Sequence, residues 1–209
     1  MYEYGARKSR AIEYLILANG VMFILTLAAP RLAGQYLALT PAYVLSQPWT
    51  IITSMFVHAD FWHIFFNMFF GLYMFGMYLE NIIGEREFLK VYFAGGIAAG
   101  IFYVLLSLLF GLPNPLTSAV GASGAIYAII GTLMVLRPNM PIYFYLVIKM
   151  PLWLFGSLYF LYSLLAVPTG LSGNIAVTAH VGGLIAGLIF GQIYRNMPQK
   201  PQYTYVQYY

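Results

Sequence analysis

Residues 121–137 read GASGAIYAIIGTLMVLR, and residues 179–195 read AHVGGLIAGLIFGQIYR. Each stretch opens on small residues and one polar side chain, continues apolar, and ends on an arginine. Fourteen positions part Ser123 from Arg137, and fifteen part His180 from Arg195. On helices rising ~1.5 Å per residue, the hydroxyl and the imidazole stand ~21–23 Å above the same membrane face. The spacing predicts two parallel helices that bring Ser123 and His180 to one depth.

The surrounding composition demands a membrane. The chain is 61% hydrophobic and 8% charged, where soluble domains carry about 25% charged residues. That excludes an ordinary soluble domain and predicts an all-α polytopic membrane protein. At 209 residues the chain has room for one helical bundle. It holds no cysteine, which excludes disulfides, thiolate metal ligands and a Cys nucleophile. A net charge of +4 is small and dispersed, so nucleic acid is not an expected partner; the basic residues report topology instead.

Six spans are expected within a membrane domain at 11–195, between an N-terminal tail (1–10) and a C-terminal tail (196–209). The first is Ala11–Ala29. Leu27-Ala28-Ala29-Pro30 faintly resembles a signal-peptidase site, but Glu13 and Asn19 interrupt the apolar run, which favours a retained helix. Residues 31–61, with Trp49, Ile51, Ile52, Met55 and Phe56, are too apolar for a plain loop and suit a partly inserted surface segment. Spans follow at Trp62–Ile83 and Phe88–Phe110, and residues 112–120 return the chain to Ser123. The fourth span, Ser123–Leu136, is shorter than the ~20 residues needed to cross the hydrocarbon core. Its outer end must lie below the surface, and irregular backbone at that depth implies a water-filled cavity above Ser123. Residues 138–149 are expected at the interface and Met150–Val167 as the fifth span. Pro168–Asn174 is an outer loop and Ile175–Tyr194 the sixth span. The tail carrying Tyr203, Tyr205, Tyr208 and Tyr209 is given no role.

Orientation follows from the basic residues. Arg7, Lys8, Arg10, Arg86, Lys90, Arg137, Lys149, Arg195 and Lys200 fall on one side of six spans, and Arg31 alone on the other. Both termini are therefore expected in the cytoplasm, with Ser123 and His180 toward the extracytoplasmic side. The short amino-terminal tail looks unlike an organellar transit peptide, so a prokaryotic cell membrane is the expected home.

Ser123 starts a helix, where unpaired N–H groups and the positive dipole end face any charge that develops beside it. A Gly-x-Ser-Gly string also arises as a plain helix cap. Tyr127 lies one turn deeper on the same face, where its ring can pack against an imidazole or simply fill space. Gly183, Gly187 and Gly191 face small residues Gly124, Ala128 and Thr132, permitting close approach of the two helices. That approach would bring His180 within hydrogen-bond reach of Ser123, as a general base requires. His63 and Asn67, at i and i+4, can supply oxyanion donors together with the Ser123 N–H, although Asn67 can equally tie helices together. Spacing assigns His58 no partner. Its five-residue offset from His63 and the lone carboxylate Asp60 argue against a metal site. Glu80, near the cytoplasmic end of the second span, suits a structural role. No acid lies at the depth of His180, so any mechanism has two residues rather than three.

In order, these pieces resemble the rhomboid family of intramembrane serine proteases. The resemblance covers roughly residues 11–195. It rests on His58, His63 and Asn67, on Glu80 and Gly84, on Gly121-Ala122-Ser123-Gly124 with Tyr127, and on Ala179-His180 with Gly183 and Gly187. It implies Ser123 as nucleophile and His180 as the base that later protonates the leaving amine. It further implies Tyr127 as the aromatic support of that histidine, and His63, Asn67 and the Ser123 N–H as oxyanion stabilisers. Residues 31–61 look like the family's membrane-embedded first loop, Pro168–Asn174 like a mobile cap, and the fifth span like a lateral gate. The expected substrates are transmembrane segments of other proteins, with a small residue before the cut. No cofactor is implied, and no oligomeric state is assigned. Many members carry Trp-Arg in the first loop, whereas Thr50 follows Trp49 here, which puts the usual anchoring of that loop in doubt. A catalytically inactive rhomboid-like chaperone and a small-solute transporter are the other readings. Retention of Ser123 and His180 speaks against the first, and the absence of an internal repeat against the second.

Overall fold

The structure, a computed structural model, describes residues 10–144, 147–169 and 176–197. Continuously apolar segments satisfy their backbone polarity internally by winding into helices, as any chain in hydrocarbon must. The helices in order are α1 (Ala11–Ala28), α2 (Pro30–Tyr36), α3 (Thr50–Thr53), α4 (Phe61–Phe65), α5 (Met77–Ile83), α6 (Glu85–Phe110) and α7 (Ser123–Leu136). A hairpin of β1 (Pro141–Phe144) and β2 (Ile148–Pro151) precedes α8 (Leu152–Thr169) and α9 (Val177–Arg195). Helices α1, α6 and α9 are long and apolar enough to cross a membrane, while α7 and the first turns of α8 form shorter apolar helices. This is a largely helical membrane protein.

Three features depart from the expected pattern. Residues 138–149 do not simply lie at the interface, because the aromatic stretch after Pro141 pairs with Ile148–Pro151, so the fold is not purely α. Ile142, Tyr143 and Phe144 favour strands, and the prolines at both ends stop helix growth. The chain between α4 and α5 is wound as a π-helix over Phe66–Gly76, a wider coil that local propensity does not announce. Pro168 and Thr169 continue α8, whereas the rest of the expected cap at Pro168–Asn174 lies outside the described residues, as does the tyrosine-rich tail.

The core is centred on α7. Ala125, Ala128, Ile129 and Leu133 are at most 1% exposed, as befits a helix apolar on every side. It lies parallel to α9 and antiparallel to α6. A Cβ placed on Gly183 would meet the Gly124 carbonyl oxygen, and one on Gly187 the Ala128 carbonyl oxygen. One turn further, the Thr132 hydroxyl donates to the carbonyls of Ala128 (2.8 Å) and Gly187 (3.1 Å). On the other flank, Gly95 admits the Ala128 methyl and Gly124 admits Ala99, 2.7 Å from its missing Cβ. Gly124 therefore spares room for α6 with its absent side chain and meets α9 through its carbonyl.

Because the obstacle at Gly187 is backbone, no rotamer can relieve it. Gly187→Val is expected to cost about 3 kcal/mol or more, seen as a lower thermal midpoint and less folded protein in detergent. Gly20→Ala, with open space around the position, should leave the midpoint unchanged or slightly raised.

The first loop is firmly pinned despite Thr50. The Trp49 indole donates to Tyr36 O (2.8 Å), and the Thr53 hydroxyl donates to Leu37 O (2.9 Å). Thr50 is itself buried, its hydroxyl donating to Gln47 O (2.7 Å). The loop is also stitched to the segment ahead of α7: Leu39 and Ala119 exchange backbone bonds, and Gly121 N donates to Ser54 O (2.8 Å).

Candidate active site

The turn that delivers Ser123 is governed by Gly121. Its φ of +114° is one that side-chain-bearing residues rarely adopt. A Cβ there would also lie 2.6 Å from His63 Nε2. No side chain caps α7, so the N–H groups of its first turn point outward from a positive helix end.

His180, in the first turns of α9, is buried. Its Nε2 lies 2.7 Å from Ser123 Oγ, within the reach a proton transfer needs. The imidazole stacks on the Tyr127 ring, with centroids 4.5 Å apart and planes inclined by 23°. Its other nitrogen, Nδ1, lies 2.6 Å from the Tyr159 phenol oxygen on α8. Tyr159 in turn stacks on Tyr127 at 4.5 Å. Sequence reasoning missed Tyr159. It sits among other aromatics of α8, and no spacing rule links it to a residue on α9.

His63 follows an Asp60 cap, whose carboxylate accepts from His63 N (2.8 Å). Its Nδ1 accepts from the Ala59 N–H at 3.4 Å, a long bond. A backbone N–H can only donate, so the ring proton sits on Nε2, the nitrogen facing the Gly121–Ser123 turn. His63 thus presents a donor beside the serine. Asn67 is less directly placed: its amide nitrogen donates to His63 O (2.7 Å). One amide proton is spent inside its own helix, and the structure brings the group to His63 rather than to Ser123.

A small cavity of about 30 Å³ opens beside Ser123, walled by Ser54, Met55, Gly96, Gly100, Gly121 and Ala179 among others. That volume holds one or two waters.

His58 lies in the loop ahead of α4, outside any spanning helix. It is wholly buried, its Nδ1–H donates to Phe56 O (3.3 Å), and its ring meets His63 edge-on with centroids 5.0 Å apart. Burial, reinforced by the neighbouring His63, lowers its pKa from 6.5 to about 4. A buried neutral histidine stabilises the fold fully above its unfolded pKa, and that stability is lost as pH falls from 6.5 toward 4. The loss is on the order of 3 kcal/mol. Thermal unfolding at pH 7.5 and pH 4.5 checks this, the first above the window and the second inside its lower end. The fall in midpoint should shrink in His58→Gln.

Fold and site together describe a polytopic helical membrane protein whose polar side chains converge where α7 and α9 begin. Residues 45–197 match the Rhomboid domain, and the chain belongs to the rhomboid family. It is 32% identical over 151 residues to RHOMBOID-like protein 12, mitochondrial, of Arabidopsis thaliana, covering 67% of this chain and 44% of that protein. Rhomboid protein 1, mitochondrial, of Saccharomyces cerevisiae is 29% identical over 180 residues, covering 85% and 50% of the two chains. Rhomboid-like protease 1 of Toxoplasma gondii is 32% identical over 163 residues, covering 77% and 52%. The chain spans about half the length of these curated relatives.

Proposed function

We propose that this chain is an intramembrane serine endopeptidase that cleaves in or beside the transmembrane segments of other membrane proteins. The observation that carries the reading is the 2.7 Å approach of His180 Nε2 to Ser123 Oγ at the uncapped mouth of α7. In this reading the bundle has six spans, the run from α4 through α5 and helices α7 and α8 joining the three long ones. α7 is too short to reach the outer surface. The one-sided distribution of basic residues supports cytoplasmic termini in a cell membrane, with the site toward the extracytoplasmic half.

Ser123 Oγ attacks the scissile carbonyl while its proton passes to His180 Nε2. The tetrahedral oxyanion is received by the Ser123 N–H and His63 Nε2–H, with Asn67 as a further donor through its remaining amide proton. His180 then protonates the leaving amine. Water from the cavity side, activated by the same nitrogen, releases the acyl group and restores Ser123. Tyr127 keeps the imidazole plane aligned, and Gly124, Gly183 and Gly187 hold the two helices at bonding distance. The substrate helix must unwind locally to present its carbonyl, with α8 as the side on which it enters.

A fluorophosphonate probe tests this directly. Folded wild-type protein should be labelled and Ser123→Ala should not. A folded wild type that resists the probe and releases no fragment from any membrane reporter overturns the proposal.

A further inference from the structure

We propose that Tyr159 is a positioning residue for His180, its phenol oxygen accepting the Nδ1–H and thereby keeping Nε2 free to act as the base. The inference rests on the hydrolase reading and deepens it. Two proton arrangements fit the 2.7 Å and 2.6 Å contacts around the imidazole. In one, Tyr159 donates to Nδ1, Nε2 carries the ring proton, and that proton points at Ser123. In the other, Nδ1–H donates to Tyr159 and Nε2 accepts from the Ser123 hydroxyl. Only the second can take a proton from serine.

The second arrangement also serves the next step. When the Ser123 proton moves to Nε2, the imidazolium has two N–H donors, and Nδ1–H already has its acceptor. The proton on Nδ1 stays with the ring, and the phenol keeps its own. Tyr159 thus occupies the place that a carboxylate holds in a three-residue hydrolase site, as a neutral acceptor. Its aim is held by the ring's stack on Tyr127, which itself stacks on His180. In this reading Ser123 and His180 still do the chemistry, and Tyr159 only orients the imidazole.

The test compares Tyr159→Phe, which keeps the stacked ring, with Tyr162→Phe, a half-exposed neighbour on α8. Tyr159→Phe should lower both kcat and the rate of fluorophosphonate labelling by about tenfold, the worth of one neutral hydrogen bond. KM and the thermal midpoint should stay put, and Tyr162→Phe should match wild type. Nitrogen-15 spectra of His180 should show the Nδ1–H tautomer in wild type and a mixture in Tyr159→Phe. Labelling of Tyr159→Phe at the wild-type rate, or an Nε2–H tautomer in resting wild type, overturns the positioning role and leaves the hydrolase reading intact. Wild type that is never labelled overturns the hydrolase reading instead. The wild-type spectrum decides the matter even if Tyr159→Phe folds poorly.

Discussion

Ser123→Ala and His180→Ala should each reduce cleavage of a transmembrane reporter by roughly 10⁶-fold, and the double variant should be no worse than either alone. The reason is that in the proposed mechanism the two groups act as one unit. Without the imidazole the hydroxyl keeps its proton, and without the hydroxyl the imidazole has nothing to activate on the acyl path. The fold should survive both changes. Alanine suits the start of α7, where Ser123 caps nothing, and the α7–α9 contact is carried by glycines and carbonyls, independent of the His180 ring. Reporter cleavage in proteoliposomes, paired with thermal unfolding, makes the measurement. Wild-type cleavage by His180→Ala would remove the base from the scheme.

Gly121→Ala should be the next most damaging change, lowering kcat by about 10²- to 10³-fold. One methyl group does two kinds of harm there. It forces a φ of +114° on a residue that resists it, at a cost of roughly 1–3 kcal/mol. It also lies within 2.6 Å of His63 Nε2, so the ring must swing away from the serine or the turn must shift. Either outcome takes a donor off the developing oxyanion. Gly111→Ala supplies the control: that glycine also has positive φ (+68°) but open space around it. It should lose about 1 kcal/mol of stability and no activity. Equal activity loss in both variants would show that backbone strain, rather than displacement of His63, is what matters.

The parts legible in the sequence were those tied to helical counting. Depth above a shared arginine level paired Ser123 with His180, and the i, i+4 rule put Tyr127 on the serine's helix face, where stacking on an imidazole and plain packing were both open. The small-residue stripes pointed to the α7–α9 contact, though they did not distinguish the two faces of Gly124. Contacts between remote elements were out of reach. Nothing in the aromatic run of α8 marks Tyr159 over Trp153 or Tyr162, because its partner lies on another helix. The hairpin at Pro141–Pro151 was hidden because aromatic residues at a membrane boundary look alike as strand, turn or interfacial coil. Asn67 shows the same limit at atomic scale: its position on the helix face was readable, but the bond its amide makes to His63 O was not.

The glycine-to-carbonyl seam between α7 and α9 leaves no freedom to slip. A one-residue slide would push Leu184 or Leu188 into the space that Gly183 and Gly187 leave empty. Bilayers of different thickness tilt or displace helices to match hydrophobic length, and this pair must answer as a single strut. Lipid composition would then raise or lower the reacting atoms relative to the headgroups without pulling them apart. If the proposed protease activity holds, thickness would select which stretch of a passing helix is presented for cutting.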